Sequence, residues 1–306
     1  MPNTLAHLGV QSILTRGVIA GADLKWAYLG LVVPDLPWIG FRIFNVLPTK
    51  PYFYDGMAYA HVQSSLLFSL LLCVIFACFA KRPQWAFAIL GLNAFLHLVL
   101  DSLQTKWANG VHFFAPFSWK LENFGLFWPE SLTTILLTLL GLAAVLATWR
   151  SSGNPVIDLV LPRGRRLLCA AVLILVYFLA PLSLKSGPLA ADNHSIGTLL
   201  AVDDRAGRLV AFDRVRVFHR DGEVTLVAAD GEVLMVAGPT TLEPGVVSLR
   251  GRFRDRRTLA ADDVHHHWGV VRDYPTLLGL LLIAVIWVKA LWLQWARLGK
   301  KINNID

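Results

Sequence analysis

Charged side chains are scarce in this chain of 306 residues, in which Asp, Glu, Lys and Arg contribute 16% and hydrophobic residues contribute 55%. Soluble domains carry about 25% charged residues, so this composition excludes an ordinary water-soluble protein. The mean hydropathy is +0.54, and the chain holds 11 Trp and 17 Phe. Because aromatic side chains collect at lipid–water interfaces, the composition indicates an integral membrane protein.

Cysteine is also rare, and the three present, Cys73, Cys78 and Cys169, lie inside apolar runs. They are typical of small core residues, which argues against a disulfide framework and against a thiolate zinc site. The N-terminus has neither a basic region nor a small-residue cleavage site, so no removable signal peptide is predicted. The P-loop, GxGxxG, Gly-x-Ser-x-Gly and Cys-x-x-Cys motifs are missing as well.

The net charge of +7 does not indicate a nucleic-acid partner, because most basic residues cluster beside apolar segments. Five such segments have the roughly 20 residues needed to cross a bilayer. They are residues 64–80, 84–103, 131–149, 166–184 and 274–295. The positive-inside rule puts residues 81–83, 150–166 and 297–306 on the cytoplasmic side of a plasma (bacterial inner) membrane, and loops 104–130 and 185–273 outside.

The first 60 residues are less regular than these segments. Residues 4–20 and 26–47 are apolar, but Gly, Arg and Pro interrupt them. Irregular backbone at membrane depth is tolerated only where protein or a water-filled cavity covers it. We therefore predict two short or re-entrant helices joined at Pro34-Asp35-Leu36-Pro37.

Residues 190–270 change character and alternate between apolar and polar side chains. Five short strands are predicted at 198–202, 209–218, 224–228, 233–237 and 246–253, and Asp221-Gly222 and Asp230-Gly231 are hairpin signals. Such strands form a small barrel or sandwich, with an OB-like barrel as one candidate. The predicted fold is a mainly α membrane bundle (1–188), a small β domain outside the membrane (189–270), and a last membrane helix with a cytoplasmic tail (271–306).

His97 and Asp101 lie four residues apart in segment 84–103, so a helix places both on one face. Ionisable groups inside a membrane are costly and indicate a functional site by default. An imidazole with a carboxylate is a metal-ligand pair. The alternative is a His–Asp hydrogen bond that pins two helices together.

Counted at about 1.5 Å per residue along the helix, this pair lies in the outer half of the membrane. His61 precedes the neighbouring segment, Asp35 lies in the Pro-bracketed break, and His7 lies on the first short helix. Five candidate ligands, His7, Asp35, His61, His97 and Asp101, can therefore meet there. We expect a divalent metal, zinc first, with manganese or iron as alternatives. Taken alone, His7 also fits a buried structural histidine, and Asp35 fits a helix cap.

The residues around these ligands resemble the membrane-bound metal-dependent hydrolases of the YdjM type. The matching pieces are Ala6-His7-Leu8-Gly9, Leu31-Val32-Val33-Pro34-Asp35, His61 before Ser64-Ser65-Leu66-Leu67, and His97-Leu98-Val99-Leu100-Asp101-Ser102, continuing through Gly110-Val111-His112 to Pro116-Phe117-Ser118. They cover about residues 1–150 and leave out the β domain. The resemblance implies a metal-dependent hydrolase carried in the membrane. The order of the ligands is also similar, more weakly, to that of zinc-dependent phospholipase C and the related single-strand nucleases.

Two positions depart from the family pattern. Pro37 stands where the family often has a second Asp, and Gly56 stands where it often has the first of two histidines. Both losses argue against a full polynuclear site. Asp55 and Glu130 lie near outer helix ends and are candidate replacements, but solvated boundary carboxylates are the favoured interpretation of both.

The predicted chemistry is hydrolysis of an ester or phosphoester bond in a membrane lipid or a lipid-linked substrate. A metal acidifies bound water and polarises a phosphoryl or acyl oxygen, and Asp35 or Asp101 can serve as general base in place of a ligand. Lys106 and His112 follow on the outer loop and can bind an anionic head group or stabilise developing charge. Their interpretation as interface residues without a catalytic role stays open.

Other polar features carry less weight. His265, His266 and His267 are consecutive, which suits chelation poorly, so an exposed segment before the last membrane helix is the favoured interpretation. The alternating arginines at 250–257 fit a solvated barrel face better than a lipid-binding strand. Two other functions stay open: a non-enzymatic membrane protein with a structural His/Asp cluster and a partner-binding β domain, and a transporter. The nearly bare inner halves of the segments argue against the transporter.

Overall fold

The structure is a computed structural model that describes residues 3–45, 52–148, 159–220, 222–237, 242–268 and 272–302. Helices dominate it, and a barrel of five strands precedes the last helix. The helices are α1 Thr4–Val18, α2 Leu24–Val32, α3 Leu36–Phe44, α4 Phe53–Gln63, α5 Leu66–Ala77, α6 Pro83–Leu103, α7 Leu132–Thr148, α8 Arg165–Leu184, α9 Ser186–Ala190, α10 Ile196–Leu200 and α11 Asp273–Ile302. Short 3-10 turns lie at Val33–Asp35, Asn193–Ser195 and Val202–Asp204.

Four helical stretches of the described chain are long and apolar enough to cross a membrane: Leu24–Phe44, Pro83–Leu103, Arg165–Ala190 and Asp273–Ala296. Helices α4 and α5 also have this length and composition when taken together. They are bent by 68° at the break between them, as in a broken span or a re-entrant loop. Helix α7 is apolar but shorter. The chain therefore carries the long apolar helices expected of a membrane protein.

Three of the five predicted membrane segments, 84–103, 166–184 and 274–295, are confirmed as helices of spanning length. The other two are shorter than predicted. Segment 131–149 forms the 17-residue α7, with residue 149 outside the described residues. Segment 64–80 forms only the 12-residue α5. The hydroxyls of Ser64 and Ser65 donate to the carbonyls of His61 and Val62 and so compete with the helical hydrogen bonds at this break.

The sequence predicts two separate helices joined at residues 34–37, whereas the structure has one helical stretch that continues through these residues. Helix α2 begins after Asp23, whose side chain accepts a hydrogen bond from the backbone N–H of Lys25. It runs through one 3-10 turn into α3, so that Leu24–Phe44 forms a single candidate span. Pro34 and Pro37 each lie in the first positions of their turn or helix. A proline there loses no helical hydrogen bond, so the helical stretch continues across both prolines.

Helices α1 and α7 cross at two glycines. A Cβ atom built on Gly9 would overlap the backbone of Gly141, and one built on Gly141 would overlap the carbonyl of Leu5. Small residues allow the backbones of membrane helices to approach closely. This crossing fixes α1, which carries His7.

The barrel is closed in the order β1-β2-β3-β5-β4. Its strands are β1 Leu209–Arg220, β2 Glu223–Val227, β3 Val233–Ala237, β4 Gly245–Phe253 and β5 Thr258–His266. Neighbouring strands are antiparallel except β3 and β5. Val217, Leu226, Leu234, Leu249 and Leu259 fill the interior and are at most 1% exposed. The structure thus confirms a small barrel as the β module.

One of the predicted strands is wrong. Thr198, Leu199 and Leu200 belong to α10 and not to a strand. The carboxylate of Asp192 stabilises this helix by accepting hydrogen bonds from both the backbone N–H and the hydroxyl of Thr198. The fifth strand is β5 instead, which lies in a segment where the sequence analysis predicts no strand. Gly222 and Gly231 have φ of 83° and 87°, as the two hairpin signals require, although Asp221 lies outside the described residues.

We expect Gly9→Ala to destabilise the protein, since its methyl group would force α1 away from α7. Overpacking of this kind costs about 1–3 kcal/mol. Gly17→Ala is the matched control in the same helix, because a Cβ atom there meets nothing within 4 Å. Thermal unfolding in detergent should show a lower midpoint for Gly9→Ala, and an unchanged or higher midpoint for Gly17→Ala. Equal midpoints for the two variants would contradict the close crossing.

The positive-inside rule predicts which face of the membrane each loop occupies. With the three native cysteines replaced by alanine, Asp204→Cys in the 3-10 turn before β1 and Lys81→Cys after α5 introduce single thiols at exposed positions. A membrane-impermeant maleimide added to intact cells should label Asp204→Cys and leave Lys81→Cys unlabelled until the cells are opened. The reverse pattern would place the barrel in the cytoplasm.

Candidate metal centre

Three ionisable side chains of α1 and α6 converge between the apolar helices. His7, His97 and Asp101 are buried, and each offers one ligand atom within 4.8 Å of the others. His7 Nε2 lies 3.3 Å from Asp101 Oδ1, and His97 Nε2 lies 3.7 Å from Asp101 Oδ2. The two imidazole rings stack with their centroids 4.2 Å apart. His97 and Asp101 therefore share one helix face, as their spacing predicts.

Asp35 joins this group from the 3-10 turn between α2 and α3. Its Oδ1 lies 3.7 Å from His97 Nε2. Its side chain is 16% exposed, compared with 10% for Asp101 and 1% for each imidazole. The four residues His7, Asp35, His97 and Asp101 are called the His/Asp cluster below.

Gln11 orients His7 one helical turn further along α1. The hydrogen-bonding groups around Gln11 are all satisfied in one orientation of its amide. In that orientation the side-chain oxygen accepts hydrogen bonds from His7 Nδ1, at 3.1 Å, and from the backbone N–H of His97, at 3.2 Å. Its amide nitrogen then donates to Asn93, and Asn93 also donates to Thr15. His7 then carries its ring proton on Nδ1, so its lone pair is on Nε2, the nitrogen that faces Asp101.

The geometry of the His/Asp cluster fits a bound cation. His7 Nε2 and Asp101 Oδ1 are only 3.3 Å apart, yet among the described residues neither atom makes a hydrogen bond of acceptable geometry, and neither does His97 Nδ1. A buried polar atom without a partner costs about 1–3 kcal/mol. Two imidazoles and two carboxylates are the donor set of zinc and of similar divalent metals. The cluster can therefore hold a metal ion.

Lys106 is buried beside the cluster, shortly after the end of α6. Its side chain is 4% exposed, and its Nζ lies 3.4 Å from Asp101 Oδ2. Asn123 fixes this loop by donating to the backbone carbonyls of Lys106 and Asn109, at 2.5 and 2.9 Å. Because a lysine is almost never buried unless paired, the ammonium is held against the carboxylate.

The fifth predicted ligand, His61, lies outside the His/Asp cluster. Its Nδ1 is 3.3 Å from Nε2 of His112, and its ring centroid is 4.5 Å from that of His194. Trp38, one helical turn after Asp35, packs edge-on against His61 with ring centroids 4.9 Å apart. The structure thus brings four of the predicted ligands together and places His61 with His112 instead.

His194 is a member of this second group that sequence reasoning missed. Asp192, His194 and Ser195 have φ of 51°, 54° and 56°, a left-handed conformation that non-glycine residues rarely adopt. Burial lowers the pKa of His112 and of His194 to about 4, so both rings are neutral at pH 7. No residue pattern in the sequence indicates this backbone conformation.

A further group joins the loop between α6 and α7 to the barrel. Glu130 Oε1 lies 2.6 Å from His267 Nδ1 and 3.0 Å from Arg214 Nη1, and Glu130 Oε2 lies 3.6 Å from His265 Nε2. The prediction of an exposed segment is wrong for His267, whose side chain is 0% exposed. Residues 265 and 267 face the same side of an extended chain, whereas His266 faces solvent. Within the described chain, this group and the group of His7, His97 and Asp101 are the ones with metal-site spacing.

The two carboxylates considered as replacement ligands differ in environment. Asp55 is 48% exposed and pairs with Lys185 at 3.1 Å, as a solvated boundary carboxylate should. Glu130 is only 10% exposed, so that interpretation is wrong for it. Burial raises the pKa of Glu130, but the hydrogen bond and charge of His267 and the charge of Arg214 outweigh it and keep the pKa below its ordinary value. Glu130 is therefore ionised at pH 7.

We expect the His97→Ala/Asp101→Ala variant to bind about one divalent metal ion fewer per chain than the wild type, because it removes two of the four ligands. Gln11→Leu should weaken that binding by about 10–100-fold, since it frees the His7 ring. Elemental mass spectrometry of the detergent-purified proteins measures both effects. His219→Ala, an exposed histidine on the barrel, is the control. A folded double variant with wild-type metal content would contradict this assignment.

Comparisons with protein families, with curated proteins and with solved structures give no significant match for this chain. The resemblance to membrane-bound metal-dependent hydrolases therefore stays a prediction from the motifs. The ligand assignment depends instead on the geometry of the His/Asp cluster and on the buried atoms that lack partners there.

Proposed function

We propose that the protein is a membrane-bound metal-dependent hydrolase that cleaves an ester or phosphoester bond in a lipid or a lipid-linked substrate. The observation that carries this proposal is the buried His/Asp cluster with the ammonium of Lys106 next to it. The cluster has the donor atoms for a divalent metal. The ammonium adds a positive charge where an anionic oxygen of a substrate needs one.

The residues of the cluster have different roles in the proposed hydrolysis. His7, His97 and Asp101 would hold a divalent cation, which would supply Lewis acidity and lower the pKa of a water there. Asp35 is the most exposed member of the cluster, so it is the best placed to accept the proton of the attacking water. The water oxygen bonds to phosphorus or to the acyl carbon, the bond to the leaving oxygen breaks, and the proton that Asp35 accepted passes to that oxygen. Lys106 can stabilise the negative charge that develops in this step.

The outer loop between α6 and α7 supports a lipid as the substrate. Large apolar side chains on this loop are exposed: Phe114 63%, Phe117 95%, Phe124 61% and Leu126 68%. Exposed apolar groups next to membrane helices are typical of a segment that contacts the lipid interface. Lys106 belongs to the same loop and lies three residues after the last residue of α6. A lipid head group would therefore be at the depth of the cluster while its chains stay in the bilayer.

Turnover of lipids by the purified protein tests this function. The protein is reconstituted into vesicles that contain zwitterionic phospholipid, anionic phospholipid and a polyprenyl phosphate, and the products are separated by mass spectrometry. We expect one lipid class to be consumed, a chelator to stop the reaction, and added zinc to restore it. The His97→Ala/Asp101→Ala variant should be inactive.

Lys106→Met separates the role of the ammonium from metal binding. We expect this variant to keep its metal and to lose about 10²–10³-fold in kcat, as happens when one group that stabilises charge in the transition state is removed. Lys120→Met on the same loop is the matched control, because Lys120 is 74% exposed. The proposal fails if no lipid class is consumed in a metal-dependent way, and the non-enzymatic alternative with a structural cluster would then be favoured.

A further inference from the structure

Glu130, His265 and His267 come from opposite sides of one interface. Glu130 lies just before α7 on the outer loop, whereas the histidines lie at the end of β5 in the barrel. One ligand atom from each residue falls within 4.8 Å of the other two. The three residues are separate from the His/Asp cluster and from the histidines around His61.

Hydrogen bonds fix the orientation of the His267 ring. Ser248 Oγ lies 3.2 Å from Asp213 Oδ1 and 2.7 Å from His267 Nε2. A hydroxyl has one hydrogen, and a carboxylate can only accept. When Ser248 donates to Asp213, it must accept from the Nε2–H of His267. The other nitrogen of His267, Nδ1, then faces Glu130 Oε1 at 2.6 Å.

This arrangement leaves Nδ1 with two possible states. It either carries a second proton and forms an ion pair with Glu130, or it presents a lone pair toward the carboxylate. At 2.6 Å the two atoms are at hydrogen-bond distance, so a metal bound by both would replace the shared proton and require Nδ1 and Oε1 to move apart. The carbonyl, hydroxyl or carboxylate partner of a ligating histidine usually holds its other nitrogen as a donor, and Ser248 does this for His267.

The two remaining ligand atoms of the group lack partners, whereas His267 Nδ1 and Glu130 Oε1 are hydrogen-bonded to each other. Within the described chain, Glu130 Oε2 and His265 Nε2 make no hydrogen bond, although they lie 3.6 Å apart. Trp128 stacks on the His265 ring with the centroids 3.6 Å apart and the planes 5° from parallel, which holds that nitrogen toward Glu130. Arg214 binds only the other oxygen, Glu130 Oε1. A cation can therefore reach Oε2 without displacing the guanidinium.

We propose that Glu130, His265 and His267 bind a second divalent cation, zinc or a similar borderline metal, which fastens the barrel to the outer loop. Two imidazoles and one carboxylate are a donor set that zinc accepts, with a fourth position left for water. His265 is 28% exposed, which leaves the group open on that side. The ligands come from the loop before α7 and from the end of β5, so the cation cross-links two parts that are far apart in the sequence. The site does not depend on the proposed hydrolase activity.

Cobalt(II) and zinc binding to the full detergent-purified chain tests this site. The measurement is made in the wild type and in the His97→Ala/Asp101→Ala background, where binding at the His/Asp cluster is removed. We expect about one equivalent to remain in that background and to be lost on adding His265→Ala/His267→Ala. His266→Ala is the matched control, because this neighbouring histidine is exposed, and it should keep the equivalent. The wild type should bind one equivalent more than the background.

Glu130→Gln keeps the test informative if the double histidine variant fails to fold. It preserves the size of the side chain and a hydrogen-bonding oxygen, and we expect it to weaken cobalt(II) binding at least about 10-fold, by comparison with the 10–100-fold effect of losing a partner of a ligand. At the same concentration, zinc should also raise the unfolding midpoint of the background protein by more than that of Glu130→Gln. The proposal is overturned if the folded background binds no cobalt(II), which would leave an ion pair between His267 and Glu130, or if Glu130→Gln binds as tightly as its parent.

Discussion

Charge buried among apolar helices must be compensated at short range, because water cannot solvate it there. The His/Asp cluster meets this requirement through Lys106 on one side and through Gln11 and Asn93 on the other. These partners come from α1, α6 and the loop that follows α6, so the three elements must be held close together. The close approach of α2 to α6 serves the same end, since a Cβ atom on Gly30 would overlap the carbonyl of Leu90.

The barrel is fixed to the apolar helices through the loop between α6 and α7. Asn109 donates to Asp213 and Glu130 accepts from Arg214, both at 3.0 Å, and the two barrel residues belong to a bulge of β1. Tyr54 of α4 is 7% exposed and packs with the core of the barrel. A module that only carried a binding surface on a flexible linker would need none of these contacts. They favour a barrel whose position relative to the loop between α6 and α7 is fixed by the structure.

The sequence predicts features that depend on local spacing. His97 and Asp101 share a face because a helix repeats every 3.6 residues, and three long apolar segments form helices for the reason their length implies. The place of His61 depends on the 68° bend between α4 and α5, and the two serines at that break do not by themselves predict such an angle. His194 depends on left-handed φ angles at residues that are not glycine. His265 and His267 are separated by one residue, so a strand would place both on one face. Because His266 lies between them, the sequence shows three consecutive histidines and not this alternating pattern.

The position of His61 bears on the number of metal ions in the His/Asp cluster. Without it, the cluster has His7, His97 and Asp101 as ligands and Asp35 beside them, which suits one zinc ion with an open position for water. A carboxylate that bridges two cations needs one oxygen for each, but Oδ1 of Asp101 faces His7 and Oδ2 faces both His97 and Lys106. The donor atoms of the cluster could therefore hold one divalent ion, and the ammonium of Lys106 pairs with Asp101 beside it.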